Sequence, residues 1–176
     1  MKKCLIIIDV QNGFLSSKTK YVLPQLESLV SSFSEGLIVA TKFINPGDNA
    51  FNRILHWKRL QTAPETDLAP FVLANADFVV EKRIYSGCSE ELVEMLEREQ
   101  IREVLLAGID TDCCVLKTAI DLFEHNIHPV VLADYCASNG GMESHLAALR
   151  VLERTIGKRQ IFRGSYPQGA GEHMPN

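Results

Sequence analysis

The sequence predicts an α/β protein: a three-layer, Rossmann-like arrangement in which a mostly parallel six-stranded sheet carries helices on both faces. Three observations predict it. Short apolar runs alternate with amphipathic segments along the whole chain. The apolar runs are continuous rather than alternating, as in strands covered on both faces. Most of them stop at a polar or Gly-containing turn, the place where ligands bind in open parallel sheets.

In chain order, residues 3 to 8 are an apolar run that ends at Asp9, and Asp9-Val10-Gln11-Asn12-Gly13-Phe14 leaves it as a polar loop. Val22, Leu26, Leu29, Val30 and Phe33 recur at helical spacing, with Pro24 tolerated in the first turn. Gly36 ends that helix, residues 37 to 43 form a second strand, and Asn45-Pro46-Gly47-Asp48-Asn49 has turn chemistry. Residues 50 to 70 read as a long loop with one short helix, a rim or lid holding the only tryptophan, Trp57. Residues 77 to 81 are a third strand with Lys82 just past it, followed by a turn over residues 85 to 88 and a helix capped by Ser89. Residues 103 to 107 are a fourth strand, and 129 to 133 a fifth that ends at Asp134. Residues 142 to 156 form a helix with Leu146, Leu149, Val151 and Leu152 facing inward, and 159 to 162 a last short strand. One domain over residues 1–164 is expected, with a Gly/Pro-rich tail at 165–176.

Bulk properties narrow the function. The chain has 176 residues, 46% hydrophobic and 23% charged, with 18 basic and 22 acidic residues and a net charge of −4. No basic cluster stands out, which disfavours nucleic acid or an anionic membrane as partner. The apolar run at the N-terminus is too short for a signal core or a membrane span. Five cysteines, an odd number without a CxxC pair, fit reduced thiols and a cytoplasmic location.

The chemistry gathers at the strand ends. Asp9 follows the first strand, Lys82 the third, and Asp110-Thr111-Asp112-Cys113-Cys114 the fourth. Thr111 and Asp112 are N-cap types for the helix over 116 to 123. A thiol in that first turn would meet unpaired N–H groups and a positive dipole, both of which favour thiolate. The two cysteines alone do not separate this reading from that of small buried hydrophobes. With Asp9 and Lys82 they make a charge-balanced set for covalent catalysis: a thiol nucleophile, an acid that takes its proton, and a cation that holds both. No histidine follows a strand at this rim; His125 and His128 flank the turn at the other end of the sheet. Other chemistries lack their residues. Gln11 occupies the place of the second acid of an aspartyl-phosphate phosphatase, Lys82 that of a receiver-domain phosphoacceptor, and no phosphate loop or GxGxxG follows a strand.

Three pieces then match a known family in order. Asp9-Val10-Gln11-Asn12-Gly13-Phe14 resembles the D-x-Q-x-x-F of the isochorismatase-like cysteine hydrolase superfamily, which includes nicotinamidases. Glu81-Lys82 resembles its strand-end lysine, and Gly108-Ile109-Asp110-Thr111-Asp112-Cys113-Cys114-Val115 its G-x-x-T-D-x-C-V. The resemblance runs from the first strand to about Phe162 and implies the isochorismatase-like hydrolase fold. It makes Cys114, not Cys113, the nucleophile, Asp9 the base and Lys82 the third catalytic residue. It implies an oxyanion hole from the backbone N–H groups of Asp110 and Cys114, a cis peptide between Ile109 and Asp110, and a homo-oligomer. Phe14, Phe43, Trp57 and Tyr85 are the expected substrate-pocket walls, with Phe51, Cys88 and Tyr135 as further candidates. Two departures stand out. Nicotinamidases carry an Asp and two His as metal ligands after the second strand; residues 42 to 49 here hold no histidine, so no metal and no cofactor are expected. Asp110 stands where the family usually has a small apolar residue, and the sequence leaves open whether its side chain points away or charges the site. The expected function is a metal-independent cysteine hydrolase of a small-molecule amide, carbamoyl or ureido C–N bond acting through a thioester. The alternatives are an isochorismatase-type vinyl-ether hydrolase, which needs no thiol, and a non-catalytic small-ligand-binding relative.

Overall fold

A computed structural model describes residues 2–167. Six strands, β1 (Lys3–Ile8), β2 (Gly36–Phe43), β3 (Phe78–Lys82), β4 (Glu103–Ile109), β5 (His128–Ala137) and β6 (Ile161–Phe162), form one sheet in the order β3-β2-β1-β4-β5-β6. All neighbouring pairs run parallel. β1 lies at the centre, where the connections turn from one side of the sheet to the other.

Successive side chains of a strand point to opposite faces, and β1 shows why its apolar run is unbroken. Cys4, Ile6 and Ile8 pack on one face with Leu92, Met95 and Leu96 of α4 (Glu90–Arg98), Ala119 and Leu122 of α5 (Leu116–Glu124), and Leu149 and Leu152 of α6 (Met142–Leu152). Leu5 and Ile7 pack on the other face with Leu26, Leu29 and Val30 of α1 (Leu23–Ser32) and Val72 of α3 (Pro70–Asn75). A short α2 (Ala50–Arg53) sits in the irregular segment. Each face holds its own apolar core, and both faces of β1 are buried completely.

Several elements depart from expectation. α3 was not anticipated; Pro70 opens it at the first turn, where a missing N–H costs nothing. β4 runs two residues further, to Ile109, and β5 continues to Ala137. The outer helix ends at Leu152, and residues 153 to 157 form a wide turn. Its inward face is His145, Ala148, Leu149 and Leu152, whereas Leu146 and Val151 are 49% and 46% exposed. Residues 159 and 160 precede the last strand rather than belonging to it. Tyr166 is buried against the α1 face, and its N–H donates to the Tyr135 hydroxyl, so the packed body extends past residue 164. The expected tail over 168–176 lies outside the described residues. No helix among the described residues is long and apolar enough to cross a membrane, and all five cysteines are free thiols.

Candidate active site

The carboxyl ends of β1, β3 and β4 meet above the centre of the sheet. Asp9 leaves β1 with φ of 48° and is fully buried. Thr41 in the neighbouring β2 fixes it twice: the Thr41 hydroxyl donates to Asp9 Oδ1 at 2.7 Å and accepts from the Asp9 N–H at 3.1 Å. This leaves Oδ2 for a cation. Lys82 is the last residue of β3, where the sequence placed it just past the strand, and is only 6% exposed. β3 and β1 are not neighbours, since β2 lies between them. The lysine stem therefore crosses β2, with Nζ 5.1 Å from the centre of the Phe43 ring. Nζ donates to the carbonyls of Ile84 (3.0 Å) and Tyr85 (2.9 Å), and lies 2.7 Å from Asp9 Oδ2 and 3.4 Å from Cys114 Sγ. The contact with Oδ2 is one of charges rather than a well-directed hydrogen bond.

Cys114 comes from β4. Gly108 there adopts φ of +126°, and a Cβ would fall 2.2 Å from the Ile8 carbonyl oxygen, so only glycine lets β4 pass so close to β1. The Ile109–Asp110 peptide is cis. Residues 111 to 115 then make one wide π-type turn before α5 begins. Thr111 and Asp112 do not cap this helix. The Thr111 hydroxyl pairs with His145 Nδ1 at 2.8 Å, and Asp112 accepts from the Ser138 hydroxyl. Thr118 donates to the Cys114 carbonyl and accepts from the Gly87 N–H, which ties the Cys114 turn to the loop that follows Lys82.

The thiol itself overturns one expectation. Burial, and next the charge of Asp9, push the Cys114 thiol well above its ordinary range, against the opposing pull of Lys82. Desolvation of the charged form outweighs the helix-end effect anticipated from sequence. Cys113 is likewise pushed up, to about 12, by burial and by Asp112 and Asp110.

Above this floor lies a cavity of about 350 Å³. Phe14, Phe43, Trp57 and Tyr85 all line it, as expected, and Phe51 joins them. The rings pack on one another: Phe14 stacks on Trp57 at 6.0 Å, and Phe51 meets Tyr85 edge-on at 5.0 Å. Cys88 and Tyr135 are not among its walls. Cys88 packs against the core beneath α4 and α5, and Tyr135 sits on the opposite face against Tyr166. Cys114 and Asp110 open on the cavity. Asp110 does turn its carboxyl into the site: Oδ1 accepts from the Asn139 N–H at 2.8 Å and from Nδ2 at 2.9 Å. Burial pushes this carboxyl up to about 6 despite those two bonds, with Asp112 and Asp9 acting in the same sense as burial. Among the described residues, no group of three His, Cys, Asp or Glu converges as a metal site.

Residues 3–160 match the Isochorismatase domain family. The chain belongs to the isochorismatase family. An isochorismatase family protein from Bacillus subtilis, PncA, is 31% identical over 182 residues, covering 89% of this chain and 97% of the relative. The ureidoacrylate amidohydrolase RutB of Acinetobacter baylyi is 27% identical over 87% of this chain and 78% of its own length. In structure, the nicotinamidase/pyrazinamidase PncA of Bacillus subtilis superposes with a TM-score of 0.78 at 27% identity, over 92% of this chain and 99% of the other.

Within this isochorismatase-family site, several contributors were not singled out from sequence. Thr41 is one of eight residues in β2 and carries no motif. Arg59 and Asn139 line the cavity from segments read only as loop or turn. In the sequence Gln11 stands as the Gln of the D-x-Q-x-x-F match and as the absence of a second acid, with no role of its own. It is fully buried: Nε2 donates to the carbonyls of Phe43 and Thr66 at 2.9 Å each, and Oε1 accepts from the Phe43 N–H at 2.8 Å.

Proposed function

We propose that this chain is a metal-independent cysteine hydrolase that cleaves a C–N bond of a small-molecule amide, carbamoyl or ureido compound through a Cys114 thioester. The observation that carries the reading is the position of Lys82 Nζ, 2.7 Å from Asp9 Oδ2 and 3.4 Å from Cys114 Sγ on the floor of an aromatic cavity. The amidohydrolase and nicotinamidase names of the relatives support the same reaction class.

With the Cys114 thiol pushed well above its ordinary range by burial, thiolate forms only as the substrate is attacked. Asp9 takes the thiol proton while sulfur bonds to the carbonyl carbon, and Lys82 holds the Asp9 carboxylate in place and offsets the negative charge as it moves between oxygen and sulfur. The developing oxyanion would be met by the backbone N–H groups of Asp110 and Cys114, both residues of the cavity wall. Donors fixed in a water-poor site are worth roughly 3 kcal/mol each. Asp9 then returns its proton to the departing nitrogen, ammonia or an amine leaves, and the acyl group stays on sulfur. Water, deprotonated by the same carboxylate, cleaves the thioester and restores the thiol.

The test is a panel of small amides, carbamoyl and ureido compounds assayed for ammonia release, with mass spectrometry of the acid-quenched enzyme. Turnover accompanied by an acyl adduct on Cys114 is expected. Turnover without any adduct, and undiminished in Cys114→Ser, would sink the thioester route and leave direct attack of water on the carbonyl in its place.

A further inference from the structure

Taking the hydrolase reading as its base, we infer that Asp110 makes this pocket selective for cationic substrates: amides or ureido compounds that carry an ammonium or amidinium group beyond the scissile carbonyl. Asp110 lines the cavity beside Cys114. Its Oδ1 is committed to Asn139, whose Nδ2 also donates to the Phe14 carbonyl at 3.0 Å, so the carboxyl is braced from behind. Oδ2 accepts no hydrogen bond among the described residues and is not sealed from solvent, and Asp110 is a wall residue of the cavity.

The charges around the cavity do not neutralise it. On the floor, Asp9 and Lys82 cancel each other. At the rim, Arg59 is paired with Glu65 at 3.0 Å, and Glu65 is anchored in turn by the Leu60 N–H at 2.7 Å. The charges felt by Asp110 are those of Asp112 and Asp9, both negative, and its two restraining bonds come from a neutral amide. One negative charge is therefore left over in a cavity walled by Phe14, Phe43, Phe51, Trp57 and Tyr85. Ring faces attract cations and gain nothing from anions. A carboxylate in such surroundings favours a cation that can hydrogen-bond to it, since a charge-assisted bond is stronger than one between neutral groups. An anionic substrate would meet the Asp110 charge without a free cation to offset it.

Three para-substituted benzamides of matched size test this: aminomethyl (cationic), hydroxymethyl (neutral) and carboxy (anionic). Binding is read in the Cys114→Ala protein, which cannot turn them over, by quenching of Trp57, the chain's only tryptophan and a cavity wall. The cation is expected to bind about tenfold tighter than the neutral amide, with the anion weakest. Adding Asp110→Asn should reduce the cation's advantage from about tenfold to about twofold, the part due to the rings. The ratio is the readout, because a general loss of affinity does not move it. Should the doubly substituted protein fail to fold, the order of the three compounds in Cys114→Ala, and of kcat/KM in the unmodified enzyme, decides alone. Equal binding of cation and neutral amide, preference for the anion, or an unchanged ratio in Asp110→Asn would each overturn the inference. Failure of the hydrolase reading shows separately, as absence of ammonia and of a Cys114 adduct while the binding order persists.

Discussion

The floor and the wall of the cavity are built on opposite terms. The floor takes Asp9, Lys82 and Cys114 from the ends of three strands, and each is held by neighbours: Thr41 for Asp9, two loop carbonyls for Lys82, and Thr118 for the turn that carries Cys114. The wall takes Phe51, Trp57 and Arg59 from an irregular stretch with one short helix, and its rings hold mainly one another. Precision belongs to the regular part, where chemistry needs sub-ångström placement, and variety to the irregular part, where a ligand is recognised. If that division is right, substitutions in the floor change turnover and those in the wall change affinity.

The largest effect is expected at Cys114. Cys114→Ala should lower kcat on the order of 10⁴-fold with an unchanged circular dichroism spectrum, since the nucleophile acts as a unit with its base. Asp9→Asn should cost on the order of 10³-fold in kcat, but it makes a sharper test through its opposite effect on the thiol. After burial, the Asp9 charge is what raises the Cys114 thiol. Removing that charge lowers the thiol's proton affinity, so alkylation of Cys114 by iodoacetamide at pH 8 should become faster as hydrolysis disappears. Slower alkylation in Asp9→Asn would show that Asp9 activates the free thiol rather than restraining it.

Thr41→Val removes the hydrogen bond to Asp9 Oδ1 at nearly constant volume. The loss of roughly 1–2 kcal/mol of positioning corresponds to a fall in kcat of about tenfold, with KM little changed. Trp57→Ala should do the reverse, raising KM by a similar factor with kcat held within about twofold, as steady-state kinetics on any active amide will show. A wall substitution that lowers kcat alone would break the division of labour.

The smallest effect is on stability, at the junction of the two regions. The Asp110 carboxyl is raised in the folded protein from 3.8 to about 6, chiefly by burial. A raised acid opposes folding when ionised, so its cost is present at pH 7 and disappears as the carboxyl is protonated in both states below about pH 4. Asp110→Asn should therefore stabilise the protein by about 2 kcal/mol at pH 7.5 and by little at pH 4, visible as a rise in Tm only at the higher pH.

The floor was legible in the sequence and the wall only partly. Asp9, Lys82 and Cys114 each lie at a junction where an apolar run stops, and a parallel sheet brings such junctions to one edge. Of the four expected wall residues, Phe43 ends β2 and Phe14, Trp57 and Tyr85 follow strands, positions from which aromatic side chains reach the cavity above the sheet edge. What escaped was set by tertiary detail. Thr41 matters through a hydroxyl that only the neighbouring strand register aims at Asp9. Leu146 and Val151 carry the hydrophobicity of inward residues, yet the helix turns His145 and Ala148 to the core because Thr111 waits there for the imidazole. The thiol's direction of shift was misjudged because spacing reveals a helix end but not the depth at which it is buried. Cys88 and Tyr135 show the converse, residues of suitable type near a strand end: Cys88 turns into the core on the Cys114 face, and Tyr135 leaves on the other side of the sheet.

Gln11 has a consequence for how such a protein could change. Its one amide clasps Phe43 and Thr66, the two ends of the stretch that supplies Phe51, Trp57 and Arg59. The clasp reads backbone only, so it is indifferent to what the intervening residues are. The stretch between these anchors is thus an exchangeable cassette: its sequence and length can drift, or be replaced by grafting, while the strand-end machinery below keeps its register.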